Sequence, residues 1–212
     1  DRDGVTTVDS RGLADAANGR AVTADDPVRI ASISKLVVAI GVMRLVEQGV
    51  LDLDADVSER LGWRLRHPNY PDVPITLRLL MSHRSGLTDH AGDLIALDEG
   101  IQAAVAEPKA WDDANPPGRF FRYTNLNFPV VASVMERATG ERFDRLMERL
   151  VLAPLKLDAC FNWAGCSAEA KARAVVLYDE GKPVRDEQAF IAGCPVTRWM
   201  AGVCCRRRRC GC

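Results

Sequence analysis

The sequence predicts an α+β fold in which a helical region is inserted between parts of a sheet. Two observations carry this. Helical apolar periodicity crowds the middle of the chain, and short β-type stretches occur only towards its two ends, without the alternation that βαβ units impose. A length of 212 residues suits one large domain or two small ones. Such a chain buries about 70% of its unfolded surface and needs no metal or disulfide staple. Hydrophobic residues at 47% and charged residues at 27% exclude a largely disordered chain.

The elements follow in order. Residues 1–30 break short apolar stretches with Gly, Asn and Asp and read as strand ends and turns. ASISKLVVAIGVMRLVEQG is the strongest helix signal. Leu36, Val37, Ile40, Val42, Met43, Leu45 and Val46 are apolar almost all round, so this helix is expected to be buried on every side, with Gly49 as its stop. Residues 51–74 form a polar, Pro-bearing connection in which His67 is expected to be exposed. Thr76 caps a short helix over LRLLMSHR, which Gly86 ends. Residues 94–107 fit another helix, PKAWDDANPPGR a loop, and FFRYTN a short extended piece. Trp111, in that loop, fits either a cleft wall or the core. Pro129 suits the first turn of a helix over VVASVMERATG, ended by Gly140. FDRLMERLVL has helical spacing, and Val175 to Tyr178 fit a strand.

Charge and cysteine are unevenly spread. Residues 191–212 hold Arg198, Arg206 to Arg209 and no acid; without those five arginines the formal net charge of −1 becomes −6 for residues 1–190. A mildly acidic body argues against nucleic-acid binding. Five of the seven cysteines (Cys194, Cys204, Cys205, Cys210 and Cys212) lie in the same stretch, and arginines outnumber lysines 23 to 5. The domain reading is therefore a body over 1–190 and an atypical Cys/Arg-rich tail over 191–212, which looks like GC-rich DNA read out of frame. Its cysteines contain no C-x-x-C pair and no nearby histidine, so no metal site is expected there. Cys160 and Cys166, six apart, fit a disulfide in an exported protein or two half-buried thiols. The longest apolar run, Leu36 to Met43, has eight residues, far short of the roughly 20 of a membrane span. No charged-then-apolar signal stretch opens the sequence, which fits a chain that Asp1 begins as a mature, processed or trimmed one.

The chemistry lies in two short motifs. Ser32-Ile33-Ser34-Lys35 is an S-x-x-K at the start of the strongest helix, and Tyr123-Thr124-Asn125 is a Y-x-N after a Pro-Gly loop. Residues i and i+3 share a helix face, so Ser32 and Lys35 can touch. A serine at a first turn sits where the helix dipole favours developing negative charge. Desolvation lowers the pKa of a buried ammonium, so Lys35 could take the serine proton. Tyr123 offers a phenol that can relay the same proton, and Asn125 an amide for a substrate carbonyl or amide. Chance supplies about 0.2 S-x-x-K matches in such a composition and about 0.02 of both motifs together. Alone, Ser32 reads as an N-cap and Lys35 as a solvated charge.

Context favours the chemical reading. RIASISKLVVAIGVMRLVEQGVLDLDADVSERL, then ITLRLLMSHRSGL, then PPGRFFRYTNLNFPVVASVMERATG resemble, in wording and order, the serine β-lactamase-related family of class C β-lactamases, penicillin-binding proteins, esterases and peptidases. The resemblance covers roughly residues 4 to 160. It implies the β-lactamase/transpeptidase-like fold: an antiparallel sheet flanked by helices plus a helical subdomain. It implies Ser32 as acylated nucleophile, Lys35 as its proton partner, Tyr123 as second relay and Asn125 as a substrate contact, with either Lys35 or Tyr123 as acylation base. The substrate is a small-molecule or peptide-like carbonyl compound (ester, amide or β-lactam), and neither metal nor organic cofactor is implied. The family resemblance favours a periplasmic or secreted location over a cytoplasmic one. His83, in MSHRSGL, is implied to be structural.

The sequence also departs from that pattern. The family carries K-T-G or H-x-G well after Y-x-N; this sequence has no K-T-G, and its one H-x-G, His90-Ala91-Gly92, precedes Tyr123. The missing strand would supply one oxyanion donor, whose loss costs about 10²–10³ in rate. The expectation is an N-terminal part of a larger hydrolase, short of its C-terminal strands. A non-catalytic, ligand-binding remnant is the alternative.

Overall fold

In the computed structural model the described residues are 8–91, 100–184 and 204–206. Seven α-helices and seven short strands lie among them. The N-terminal region forms a hairpin of β1 (Leu13–Asp15) and β2 (Arg20–Ala21), antiparallel. β3 (Val28–Arg29) leads into a 3₁₀ turn, Ala31–Ile33, and then α1 (Ser34–Glu47). α2 (Ser58–Leu61) and α3 (Leu77–Met81) follow, then α4 (Ile101–Ala106), α5 (Asn127–Thr139) and α6 (Phe143–Met147). A π-turn, Glu148–Leu152, extends α6 towards β4 (Asp158–Cys160) and α7 (Ala168–Arg173). β5 (Leu177–Asp179) and β6 (Lys182–Val184) make an antiparallel hairpin whose turn, Glu180-Gly181, has positive φ at both residues, 48° and 76°. That pair of left-handed residues matches the twist of two antiparallel strands.

α5 is the hub, because its residues from Asn127 to Val134 are almost continuously buried and it touches α1, α2, α3, α4 and α6. Val42 and Leu45 of α1, Leu61, Leu80, Leu126, Val130, Met135, Phe143, Leu146 and Met147 form one continuous apolar core. α1 approaches α6 closely at Gly41, where a Cβ would lie 2.7 Å from Met147 Sδ. Helices thus fill the middle of the chain and strands its ends, as the periodicity predicts.

Several local expectations hold in detail. Thr76 caps α3, accepting from Leu79 N–H at 3.2 Å. Gly49 and Gly140 take left-handed φ values of 70° just past α1 and α5, where a Cβ would be strained. Of the two readings left open for Cys160 and Cys166, the disulfide is the one observed, with Cα atoms 5.2 Å apart.

Other expectations are corrected. α1 is not buried all round: Ser34, Lys35, Val38, Gly41, Val42 and Leu45 face the core, whereas Leu36, Ile40 and Met43 are exposed. Apolarity all round marks what a face tolerates, not what covers it. His67 is fully buried rather than exposed; Nε2 lies 2.7 Å from the Asp112 carbonyl oxygen, and Nδ1 accepts from Asn69 N–H. Of the two readings left open for Trp111, the core is the one observed: the ring is buried and donates Nε1–H to the Val105 carbonyl. α3 stops at Met81, and the left-handed residue that turns the chain out of it is His83, φ 56°, three residues before Gly86. FFRYTN, expected as a short extended piece, forms no strand among the described residues, and its Arg122 N–H donates to the His83 carbonyl. The helix expected over 94–107 is described only from Ile101, and residues 92–99 lie outside the described residues.

The Cys/Arg-rich tail, which looks like DNA read out of frame, supplies a strand. β7 (Cys204–Arg206) lies between β3 and β4, antiparallel to both, pairing Val28 with Cys205 and Ala159 with Cys205. The other tail positions, among them Cys194, Cys210, Cys212 and Arg207 to Arg209, lie outside the described residues.

The core and cap make different demands. Phe143 is fully buried, edge-on to Phe161 at 5.2 Å, so Phe143→Ala is expected to lower stability by about 3–5 kcal/mol. Thr76→Ala removes one capping bond and is expected to cost about 1 kcal/mol. Urea unfolding midpoints check the order; equal losses would contradict the assignment of Phe143 to the centre of the core.

Candidate functional site

β3 runs into the 3₁₀ turn that carries Ser32, and Ala31 immediately before it has φ 43°. A non-glycine residue in that region stores strain of about 1–3 kcal/mol. Neither the 3₁₀ turn nor α1 has a side-chain N-cap, so Ser32 is not a capping serine. Its hydroxyl points elsewhere: Ser32 Oγ lies 2.7 Å from Tyr123 Oη and accepts from Lys35 Nζ at 3.0 Å. Lys35 is buried, at 9% exposure, on the inner face of α1, so it is not a solvated charge. Its ammonium also donates to Tyr123 Oη at 2.7 Å and to Asn125 Oδ1 at 3.1 Å, and it sits 4.9 Å from the Tyr123 ring and 5.5 Å from the Phe128 ring. Thus Ser32, Lys35, Tyr123 and Asn125, about ninety positions apart in two pairs, form one hydrogen-bonded cluster.

The electrostatics of Tyr123 follow from this. Burial pushes its phenol up, but hydrogen bonds with Lys35 and Ser32 and the Lys35 charge outweigh burial, and the phenol lies below its usual range. A phenol held against an ammonium can release its proton more readily and accept one from a neighbouring hydroxyl.

Two residues that motif reasoning did not assign to the site hold the Tyr123–Asn125 segment. The Asp89 carboxylate accepts from Asn125 N–H at 2.8 Å, from Leu126 N–H at 3.2 Å and from the Thr124 hydroxyl. It thereby satisfies amide groups at the entrance to α5, where the helix leaves its first N–H groups unpaired. The one available signal was position, since Asp89 lies two residues after the ITLRLLMSHRSGL stretch. His83, read as structural, stacks on the Tyr123 ring, with centroids 4.6 Å apart and planes 29° from parallel. Burial holds its imidazole below the usual range; the Lys35 charge adds to this and Asp89 opposes it.

Among the described residues no group of three or more His, Cys, Asp or Glu side chains could hold a metal ion, and no helix is long and apolar enough to cross a membrane. His90 lies in a 3₁₀ turn, Asp89–Ala91, while Gly92 of the H-x-G lies outside the described residues. A separate pocket lined by Asp144, Arg145, Glu148, Asp158, Asn162 and Ser167 shares no residue with the cluster.

Asp89→Ala is expected to remove the carboxylate acceptor of the Asn125 amide and one of the two acceptors of the Leu126 amide, the other being the Thr124 hydroxyl, and to lower stability by about 1–3 kcal/mol. Urea unfolding measures it; a change below about 0.5 kcal/mol would mean that water replaces the carboxylate freely.

Comparison with known proteins gives the family and the fold. A family model described as Beta-lactamase matches residues 2–193. Esterase EstB of Burkholderia gladioli is 32% identical over 193 residues, covering 82% of this chain and 47% of EstB. The structure of EstCE1, described as a hydrolase with promiscuous acyltransferase activity, superposes with a TM-score of 0.72 at 21% identity, over 92% of this chain and 59% of EstCE1. A class C β-lactamase from Rhodobacter sphaeroides gives a TM-score of 0.68 at 23% identity, over 92% of this chain and 52% of that one. These structures share the β-lactamase/transpeptidase-like fold with this chain. The chain spans less than half the length of EstB.

Proposed function

The chain belongs to the beta-lactamase family, and from that premise we propose that it is a serine hydrolase acylated on Ser32 by an ester, amide or β-lactam carbonyl. The observation that carries the reading is the mutual contact of Ser32 Oγ, Lys35 Nζ and Tyr123 Oη, each within 3.0 Å of the other two. Tyr123 takes the Ser32 proton as the oxygen attacks the carbonyl carbon. Lys35, hydrogen-bonded to both oxygens, stabilises the phenolate form that makes Tyr123 a base and the alkoxide character that develops on Ser32. The phenol then protonates the leaving group as the carbon–leaving-group bond breaks. A water attacks the acyl-enzyme by the same relay in reverse and frees Ser32. Asn125, within reach of Lys35, orients the substrate's carbonyl or amide group.

Esterase EstB aligns over most of this chain, which makes a simple ester the first substrate to test. The Cys160–Cys166 disulfide suits an oxidising, periplasmic or secreted setting.

Intact-mass analysis after exposure to a fluorophosphonate and to a penicillin tests nucleophile and substrate class together. One adduct is expected; Ser32→Ala abolishes it and Ser34→Ala keeps it. Labelling that survives Ser32→Ala would sink the assignment. Lys35→Ala and Tyr123→Phe are each expected to slow labelling by about 10²–10⁴, and the double variant little more, because the groups act as one unit. Fully additive losses would show two independent roles.

A further inference from the structure

We propose that His83 is a positioning residue for Tyr123, holding the phenol on Ser32 only while its imidazole is neutral, so that a proton on His83 switches the relay off. This rests on the serine-hydrolase reading above. The geometry begins with Nδ1. Thr124 N–H donates to it at 3.3 Å, and the Asn127 side-chain amide lies 3.1 Å away. The orientation of that amide is set from its other end, because Ser85 Oγ–H donates to Asn127 Oδ1 at 2.6 Å, leaving Nδ2–H to face His83. Two donors therefore converge on Nδ1, which requires an unprotonated nitrogen there and the neutral ring's proton on Nε2.

The imidazole has a second grip on the same loop. Its ring stacks on the Tyr123 ring, Phe121 packs edge-on to it at 6.0 Å, and Phe128 lies tilted at 5.8 Å. Its own carbonyl accepts from Arg122 N–H at 2.9 Å. The residues on both sides of Tyr123, Arg122 and Thr124, are thus tied to one residue, while the ring between them is stacked on it. His83 occupies left-handed backbone space, φ 56°, which most side chains avoid and Asn tolerates.

Protonation would undo this arrangement. A proton on Nδ1 would point at two N–H donors and break both bonds. The charged groups facing the ring are Lys35 from α1 and Asp89 from the 3₁₀ turn before Gly92; burial and Lys35 disfavour the imidazolium, and Asp89 offsets part of that. The folded-state value therefore lies below the ordinary histidine value of about 6.5. The neutral form is fully present above that value and is lost as pH falls through the lower, folded-state one, so the switch closes on the acid side.

The test measures the rate of fluorophosphonate labelling of the full chain against pH, for the wild type, His83→Asn and His83→Leu. Asn keeps an acceptor oxygen near the Nδ1 position and suits the left-handed backbone, but it does not titrate. The wild type is expected to lose labelling on an acid limb below about pH 6.5. His83→Asn is expected to label within about threefold of the wild type at pH 8, without that limb, and His83→Leu to be at least about tenfold slower than the wild type at pH 8, also without that limb. An acid limb that persists in His83→Asn, or a His83→Leu variant with wild-type rate and profile, overturns the proposal. NMR of tyrosine-labelled chain, with Tyr123→Phe for assignment, gives a reading that needs no nucleophile. The Tyr123 ring signals are expected to shift with the His83 titration in the wild type and not in His83→Asn. No such shift in the wild type also overturns it. A chain that shows the shift yet fails to label on Ser32 refutes the hydrolase reading while leaving the positioning role standing.

Discussion

A buried ammonium must find acceptors, and the region around Lys35 is organised by that requirement. Removing an ion from water is costly unless it is hydrogen-bonded on all the sides that water served. Lys35 meets this with the Ser32 hydroxyl, the Tyr123 phenol and the Asn125 amide oxygen, together with the faces of two aromatic rings. None of these acceptors except Ser32 is local in sequence. The start of α1 and the loop before α5 must therefore be held together before the charge can be buried, and the apolar contact of α1 with α5 provides that hold. The same contacts that solve the solvation problem leave a hydroxyl, an ammonium and a phenol sharing protons at hydrogen-bond distance.

The loop is held as firmly as the lysine. Asp89 gathers the backbone of residues 125 and 126, and His83 grips the residues on either side of Tyr123. Both come from the segment that follows α3, so α3, packed on α5, serves as the base from which the Tyr123–Asn125 loop is held. Positive φ at Ala31 and His83 places strained backbone beside the Ser32 hydroxyl and beside the Tyr123 phenol. Strain of this kind persists only where the surrounding structure over-determines it, and here the surrounding structure is the hydrogen-bond cluster on one side and the helical core on the other.

Much of this was legible because it is local. The three-residue spacing of Ser32 and Lys35 puts them on one helix face, Thr76 announces a cap, and Gly49 and Gly140 announce helix ends through their freedom at positive φ. Tyr123 and Asn125 were legible by motif, though not by physics alone, since nothing in their spacing says which helix they will meet. What escaped depends on tertiary context. The outer side of α1, with Leu36, Ile40 and Met43, has the same apolar character as the inner one, so periodicity could not tell the covered face from the open one. His67 has a polar neighbourhood in sequence but a buried one in space, satisfied by a backbone carbonyl and a backbone amide. His83 was hidden because a left-handed turn is expected of the nearby Gly86, and Asp89 because its partners are main-chain groups thirty-five and more positions away.

The central claim is that Lys35 holds the Tyr123 phenol in a state fit to take the Ser32 proton. Titration of the Tyr123 phenol by carbon-13 NMR, assigned against Tyr123→Phe, tests it most directly when wild type and Lys35→Met are compared. Tyr123 is expected to titrate below the usual tyrosine value of about 10 and to move upward when the ammonium is removed, since the hydrogen bond and charge of Lys35 are then lost while burial, the Asp89 charge and the Ser32 hydrogen bond remain. A phenol that titrates at its usual value and does not respond to Lys35→Met would contradict it.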